Sequence, residues 1–239
     1  MNERQKEQQH VNETIALIHR EQAILSQQKQ ELAAKMDDQL KEIADKKIRG
    51  GDSEAFYESV IEYQQHEQEL LIKYQTAESQ EKRVKTLTTM AGNPYFARID
   101  FKEEQETETL YLGIASLRDK DEETIVIDWR APIANLYYEG ELGETFYETD
   151  TDRFTVELLL KRQFKIQNGE ILSMVDTSEI INDEFLLEIL DEASSSQMRN
   201  IVSTIQKAQN QIIRDTTNKF LLIEGIAGSG KTSALLQRV

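Results

Sequence analysis

The 239-residue sequence contains no cysteine, only two prolines and three histidines. Without cysteine, the chain has no disulfide, thiolate metal site or cysteine nucleophile. The histidines, His10, His19 and His66, all lie in polar helical sequence, and we expect them to be solvated. No apolar run approaches the ~18 residues of a membrane span, so the sequence favours a cytoplasmic protein.

Apolar residues are also scarce. They make up 38% of the chain, against about 45–50% in ordinary globular proteins. The length suffices for one to two domains with a core. The shortage of apolar residues therefore predicts an elongated part with much exposed surface.

Negative charge is concentrated in the middle of the chain. Residues 100–200 carry 9 Lys and Arg against 25 Asp and Glu, whereas residues 1–90 carry 13 against 17 and residues 201–239 carry 5 against 2. The acidic middle repels a phosphate backbone and is not expected to bind nucleic acid by itself. Either a basic protein partner or an acidic surface kept for solubility explains it.

Two long helices are predicted before residue 93. Residues 3–47 lack Gly and Pro, and Gly50-Gly51 then breaks the helix before an N-cap at Asp52 or Ser53. Both helices show the 4,3 spacing of a coiled-coil seam. The apolar seam positions are Val11, Ile15, Ile18, Leu25, Leu32, Met36 and Ile43, then Phe56, Val60, Tyr63, Leu70, Tyr74, Ala77 and Val84; the polar ones are Gln22, Lys29, Gln39, Glu67 and Glu81.

Two such helices joined by a tight turn form an antiparallel hairpin, which we assign to residues 1–92. A helix of ~40 residues is roughly 60 Å long, so we expect the hairpin to project as an arm. Packing of the helices into a globular bundle is the alternative.

A β-rich module is predicted over residues 93–180. Asn93-Pro94 ends the helical region, after which the apolar period changes to two, and Asn168-Gly169 is a tight-hairpin sequence. The predicted antiparallel strands are Tyr95–Phe101, Thr109–Ser116, Thr124–Trp129, Ala134–Glu139, Thr155–Gln167 and Ile171–Asp176, with turns at Gly140 and Gly143. Helices are then predicted at Asp183–Glu192 and Gln197–Arg214, within a third region, residues 181–239.

A phosphate-binding motif lies near the end of the sequence. The segment from Gly225 to Thr232 fits G-x-x-x-x-G-K-[ST] and follows Phe220–Ile223, an apolar run typical of a buried strand. Gly225, Gly228, Ser229 and Gly230 form the turn whose N–H groups face phosphate oxygens, while Lys231 reaches the β- and γ-phosphates and Thr232 places a hydroxyl on Mg²⁺. The motif predicts ATP and Mg²⁺ as cofactors; a glycine-rich turn with an incidental lysine is the alternative.

Gln209, twelve residues before Leu221, resembles the Q motif of superfamily 1 helicases. In that superfamily the glutamine amide reads adenine, and Ala227–Thr232 is also similar to that superfamily's form of the loop. The resemblance implies that residues 181–239 include the start of a RecA-like α/β domain. A surface glutamine in a glutamine-rich chain is the alternative for Gln209 alone.

A broader resemblance is to the HelD family. It is carried by Pro94–Phe101, Tyr111–Leu117, Ile127–Ile133, Leu160–Phe164 and the Gln209 segment. It implies a helicase-like ATPase that binds RNA polymerase, places a helical arm in the polymerase secondary channel and uses nucleotide-driven motion to free stalled polymerase. From the residues alone, without the resemblance to that family, we interpret Asp128–Pro132 as a strand ending in a turn with a packed tryptophan.

The tip of the arm contains Asp52, Glu54 and Glu58. Other secondary-channel factors carry acidic tips near the catalytic metal of the polymerase, and carboxylates are natural Mg²⁺ ligands. A solvated loop explains these residues equally well.

Three hypotheses follow for an α+β chain built from an arm, a β module and the start of a P-loop domain. The first is the N-terminal part of a HelD-like ATPase, the second a DNA helicase of the UvrD type, and the third a non-enzymatic coiled-coil interaction module. We do not expect hydrolysis by these 239 residues, because we identify no Walker B carboxylate or arginine finger in them.

Overall fold

The computed structural model describes residues 1–45, 53–149, 151–176, 207–214, 220–224 and 230–237. It divides into two units: residues 15–91, the hairpin unit, and residues 1–14 with 92–239, the β unit. Gly50, Gly51, Asp52 and the predicted helix at Asp183–Glu192 lie outside the described residues.

The two helices of the hairpin unit begin and end close to the predicted positions. Helix α1 spans Glu3–Asp45 and helix α2 spans Ser53–Gly92. They run antiparallel, because Glu21 contacts Arg83 whereas Gln39, further along α1, contacts Glu69 on α2. None of the described helices is long and apolar enough to cross a membrane.

The seam of α2 differs from the predicted one. The residues that turn inward with 4,3 spacing are His66, Leu70, Lys73, Ala77, Gln80, Val84 and Leu87. Phe56, Tyr63 and Tyr74 are exposed instead, as are Glu67 and Glu81. Leu70, Ala77 and Val84 occupy their predicted seam positions, whereas His66, Lys73 and Gln80 replace Glu67, Tyr74 and Glu81. At one of these shifted positions the Lys73 ammonium donates a hydrogen bond to the buried Gln39, so a polar pair occupies the position expected for an aromatic residue.

Among the described residues, seven strands form the sheet of the β unit. The strands are β1 Ala97–Glu103, β2 Glu106–Gly113, β3 Leu117–Arg118, β4 Thr124–Asp128, β5 Gly143–Glu148, β6 Arg153–Gln167 and β7 Glu170–Asp176. Their order is β3-β4-β2-β1-β6-β5, and β7 pairs with β6. The described pairs are antiparallel except that β2 and β4 run parallel, so the sheet is mixed rather than purely antiparallel.

One predicted strand is a helix. Residues Pro132–Ala134 form a 3₁₀ turn that continues into helix α3, Asn135–Tyr138, where Ala134–Glu139 was expected to be extended. Leu136, Tyr137 and Tyr138 are three consecutive buried residues, so this helix lacks the one-sided apolar pattern of a surface helix. The short strand β3 and the strand β5, which begins at the Gly143 turn, were not predicted.

The tight turn predicted at Asn168-Gly169 is confirmed. Both residues have positive φ, 51° and 82°, between the antiparallel strands β6 and β7. This is the conformation that an Asn-Gly pair adopts at least cost, so the local sequence fixes the register of the hairpin.

Two short helices follow in the described part of the chain: α4, Lys207–Arg214, and α5, Lys231–Gln237. Ile213 of α4 and Ala234 of α5 belong to the core that also contains Trp129 and Leu136. The prediction of a buried strand at Phe220–Ile223 is wrong: these residues form no strand, and Phe220 and Leu222 are 94% and 85% exposed. A strand of parallel type needs neighbours on both sides, and no described strand lies beside this segment.

The α+β class predicted from the sequence is confirmed by these long helices and the mixed sheet.

Candidate functional site

One face of α4 is fixed to the β unit. Asn210, Ile213 and Arg214, spaced by three and four residues, lie on the same side of the helix. Asn210 is fully buried and Ile213 is 9% exposed within the main core. These side chains hold the helix that carries Gln209.

Arg214 binds the turn that follows β4. Its Nη2 donates to the Trp129 carbonyl at 2.6 Å, and its Nη1 donates to the carbonyls of Arg130 and Ala131 at 2.9 and 3.0 Å. Its Nε donates to Asn210 Oδ1 at 2.8 Å. Burial lowers the pKa of Arg214 from its usual value, and the group nevertheless stays charged at neutral pH.

Asn210 extends this network to Asn135 and Glu139. Its amide nitrogen donates to Asn135 Oδ1 at 2.5 Å and to Glu139 Oε1 at 2.9 Å. A buried amide without partners is costly, so these contacts specify where α4 sits. Trp129, 1% exposed, follows β4 as predicted for a strand ending in a turn with a packed tryptophan.

Gln209 and Gly230, 21 residues apart in sequence, lie side by side. Gly230 has φ +76°, and a Cβ built on it would overlap the Gln209 amide nitrogen. Gly230 also starts α5, since its carbonyl accepts from Ala234 N at 2.9 Å. Gln209, which resembles the glutamine of a Q motif, and Gly230 of the glycine-rich segment are therefore in contact.

Of the remaining residues of the predicted phosphate site, the structure describes only Lys231 and Thr232. Lys231 is half-buried and Thr232 exposed, both in the first turn of α5. Gly225, Gly228 and Ser229 lie outside the described residues. The Gln209 amide thus lies at Gly230, and Lys231 and Thr232 are the next two residues; an amide, an ammonium and a hydroxyl are groups that can bind a base, phosphate oxygens and a nucleotide-bound Mg²⁺.

At the other predicted site, the hairpin tip, the structure describes only two of the three predicted residues. Asp52 lies outside the described residues, whereas Glu54 and Glu58 belong to the first two turns of α2. The Glu58 side chain is exposed. Within the described ranges no group of carboxylates or histidines is arranged to hold a metal ion.

The face of α2 opposite its seam carries apolar side chains. Tyr57, Ile61, Leu71 and Ile72, which we call the α2 strip, are 66%, 54%, 58% and 62% exposed. Ile61 and the seam residue Leu70 are nine residues, or two and a half turns, apart, so they point in opposite directions. The neighbouring positions on this face are filled by glutamines, Gln64, Gln68 and Gln75. The strip is uncharged although the chain as a whole carries a net charge of −16.

Two polar groups near the start of α1 were not anticipated. Glu7 is buried and accepts hydrogen bonds from Arg98, Arg162 and Tyr111. The prediction that the histidines are solvated is wrong for His10, whose ring stacks on Tyr111 at 3.9 Å between centroids, and for His66, which lies in the seam of α2. His19 is exposed as predicted. The local sequence carries no signal for the contacts of Glu7 and His10, since Val11 is the only apolar residue between positions 2 and 14 and the partners are 85 to 155 residues away.

A sequence model of the family described as DNA helicase IV HelD, N-terminal domain, matches residues 4–193. No curated protein matches the chain. The matched region covers α1, α2 and the whole described sheet and ends before α4, so Gln209 and the glycine-rich loop lie beyond it.

Proposed function

Since the chain belongs to the HelD family, we propose that it acts as the N-terminal part of a helicase-like ATPase that binds RNA polymerase through its helical hairpin and helps to release stalled polymerase. In this proposal the hairpin enters the secondary channel, and Gln209 with the loop at 225–232 holds ATP. The α2 strip is the observation that carries the polymerase-binding part.

A strip of this kind suits a protein partner. The strip consists of two apolar pairs, Tyr57 with Ile61 and Leu71 with Ile72, and grouped exposed apolar residues mark interaction surfaces more often than single ones do. Glutamine side chains beside Ile61 and Ile72 can hydrogen-bond to backbone groups of a partner without the desolvation cost of a charge. A phosphate backbone would call for Lys and Arg at these positions, and the strip has none.

The hairpin also has a defined register. Arg83 binds Glu21 through two hydrogen bonds, Nε–Oε1 at 2.7 Å and Nη2–Oε2 at 3.0 Å, and both side chains are about one-third exposed or less. Buried polar groups such as Gln39 fix the register of paired helices. A fixed register presents the α2 strip as a constant surface, which is what a specific partner requires.

The strip is tested by a matched pair of double variants. Ile61→Gln/Ile72→Gln removes two apolar residues of the strip that are 54% and 62% exposed, and Ile24→Gln/Leu40→Gln removes two on α1 that are 50% and 44% exposed. We expect the strip variant to bind core RNA polymerase, without DNA, about tenfold or more weakly. The α1 variant should bind within about twofold of the original chain. Equal losses in both variants would contradict the assignment of the strip.

The nucleotide part of the proposal is supported by the contact between Gln209 and Gly230. Gln209 would bind adenine, Lys231 the β- and γ-phosphates and Thr232 the Mg²⁺, the assignments that the motif gives. Bound ATP and Mg²⁺ would supply the driving force for polymerase release. The chain's own residues bind and orient the nucleotide.

This part is tested by nucleotide binding to the 239-residue chain. Lys231→Ala should abolish measurable ATP binding in calorimetry, because it removes the cation that faces the phosphates. Lys120→Ala, which removes a lysine that is 74% exposed, is the matched control and should bind normally. Unchanged ATP binding by Lys231→Ala would remove the nucleotide site from the proposal.

A further inference from the structure

The contacts of α4 extend the proposed nucleotide site into the β unit. We infer that Asn210 and Arg214 are positioning residues for base recognition, which clamp α4 to the Trp129–Ala131 turn and so hold the Gln209 amide at Gly230. This inference rests on the proposed nucleotide site. It adds that the region matched by the family, far from the loop in sequence, sets how the nucleotide base is read.

The turn that receives Arg214 is itself rigid. Trp129 N donates to the Gly113 carbonyl at 3.0 Å, which ties the turn to the sheet. The Asp128 carboxylate accepts from Arg130 N at 2.9 Å, and Ala131 N donates to the Asp128 carbonyl at 2.9 Å. Three carbonyls in fixed positions therefore receive one planar guanidinium, whose geometry allows few orientations.

Asn210 provides a second point of attachment for α4. Arg214 holds the C-terminal end of the helix, while Asn210, one turn earlier, donates to Asn135 and Glu139 on the far side. Two anchors one turn apart set the rotation of the helix about its axis and its position along it. Gln209 is the residue next to Asn210, so its direction is set by these anchors.

The Gln209 amide has little room to move. It occupies the space beside the Gly230 Cα, where even a methyl group would not fit. A shift of α4 by about 1 Å would separate the amide from the loop, and displacements of that size are enough to disturb recognition. The hydrogen bonds of Asn210 and Arg214 oppose such a shift.

This role predicts a selective loss. A variant in which α4 is no longer anchored to the turn should still bind the triphosphate through Lys231 but lose the contribution of the base to the affinity. The ratio of the affinities for ATP and for inorganic tripolyphosphate measures this directly. A residue with only a structural role would change both affinities together and leave the ratio unaltered.

The experiment measures Kd for ATP and for tripolyphosphate, both with Mg²⁺, on the full chain and on Arg214→Ala, Arg214→Lys, Gln209→Ala and Lys231→Ala. We expect Arg214→Ala and Gln209→Ala each to weaken ATP binding roughly tenfold, while tripolyphosphate binding stays within about twofold. Arg214→Lys keeps the charge without the planar fork, so its ATP affinity should lie between that of Arg214→Ala and that of the original chain. Arg118→Ala is the matched control, because that side chain is 62% exposed and pairs with Glu122 instead.

The outcomes separate the two proposals. If Lys231→Ala weakens neither ligand, the nucleotide site and the positioning role both fail. If Lys231→Ala weakens both and Gln209→Ala weakens ATP, but both Arg214 variants keep the original ratio, only the positioning role is overturned. If circular dichroism shows that Arg214→Ala does not fold, Arg214→Lys provides the same test of the positioning role.

Discussion

Glu7 and Arg162 form an ion pair in which each side chain is only 2% exposed, with Oε1 and Nη1 3.0 Å apart. The pair joins the second turn of α1 to the middle of β6. Arg98 donates to the same carboxylate oxygen at 2.6 Å, and the Tyr111 hydroxyl donates to the other at 3.0 Å. The first residues of the chain are therefore part of the β unit, although the helix that contains them continues into the hairpin unit.

Removal of the buried carboxylate should be strongly destabilising. Glu7→Gln leaves Arg98 and Arg162 without their shared anion, and we expect the free energy of unfolding in urea to fall by about 3 kcal/mol. Glu3→Gln removes another carboxylate bound to Arg162, but one that is 61% exposed, and should cost less than about 1 kcal/mol. Similar losses in both variants would show that burial does not decide the strength of this network.

The stability of the β unit should depend on pH through His10. Burial lowers the pKa of His10 below its ordinary value, against the opposing effect of the Glu7 and Glu13 carboxylates, and Arg98 also lowers it. Below about pH 6.5 the unfolded chain then binds more protons at this site than the folded one, so stability is lost as the pH falls.

The measurement compares Tm at pH 7.5 and pH 5.5 for the original chain and for His10→Phe, which keeps an aromatic ring on Tyr111. The original chain should lose more Tm than the variant over this interval. A variant that loses as much would place the pH dependence elsewhere. Carboxylates that titrate in both proteins cancel in the comparison.

Gly230 should tolerate no side chain. Gly230→Ala forces a residue with a Cβ to φ +76° and against Gln209, so we expect ATP affinity to fall by at least about tenfold. Gly143→Ala provides the control, since its φ is +99° but nothing lies within 4 Å of the added Cβ. It should cost about 1 kcal/mol of stability and leave ATP affinity unchanged. If both variants bind ATP normally, Gln209 does not depend on Gly230.

The hairpin register should depend on Glu21 and Arg83 more than on surface pairs. A double-mutant cycle with alanine at these positions should give a coupling energy of about 1 kcal/mol, because both groups are partly buried and the contact is bidentate. Glu78 and Lys82, 67% and 74% exposed, should give a clearly smaller coupling energy, because solvent screens an exposed pair. Equal coupling energies in the two cycles would contradict a special role for the partly buried pair.

Elements with strong local signals could be predicted from the sequence. Asn93-Pro94 ends α2 at Gly92, and Asn168-Gly169 forms the turn before β7, because these residues have few alternative conformations. The segment Ala134–Glu139 was misassigned because its aromatic residues favour strands, whereas in the folded chain Leu136, Tyr137 and Tyr138 are buried as a helical turn. Tertiary contacts overrode local preference.

For the candidate site, sequence patterns identify Gln209, Lys231 and Thr232 as members of motifs but not what holds them. Arg214 contacts residues 83 to 85 positions away, and its three acceptors are backbone carbonyls, which any sequence provides. The exposure of Phe220 and Leu222 could not be predicted either, because an apolar run is buried only where neighbouring strands exist.

The central claim, polymerase binding through the hairpin, is tested most directly by shortening it. A variant that lacks residues 30–79 and joins Lys29 to Gln80 by a short glycine-serine loop keeps the first 14 residues and both helix bases; Lys29 and Gln80 lie close together because Lys29 pairs with Glu81 and Gln28 with Gln80. We expect it to keep the stability and ATP affinity of the original chain while its binding to core RNA polymerase falls by about a hundredfold or more. Binding as tight as that of the original chain would contradict the account.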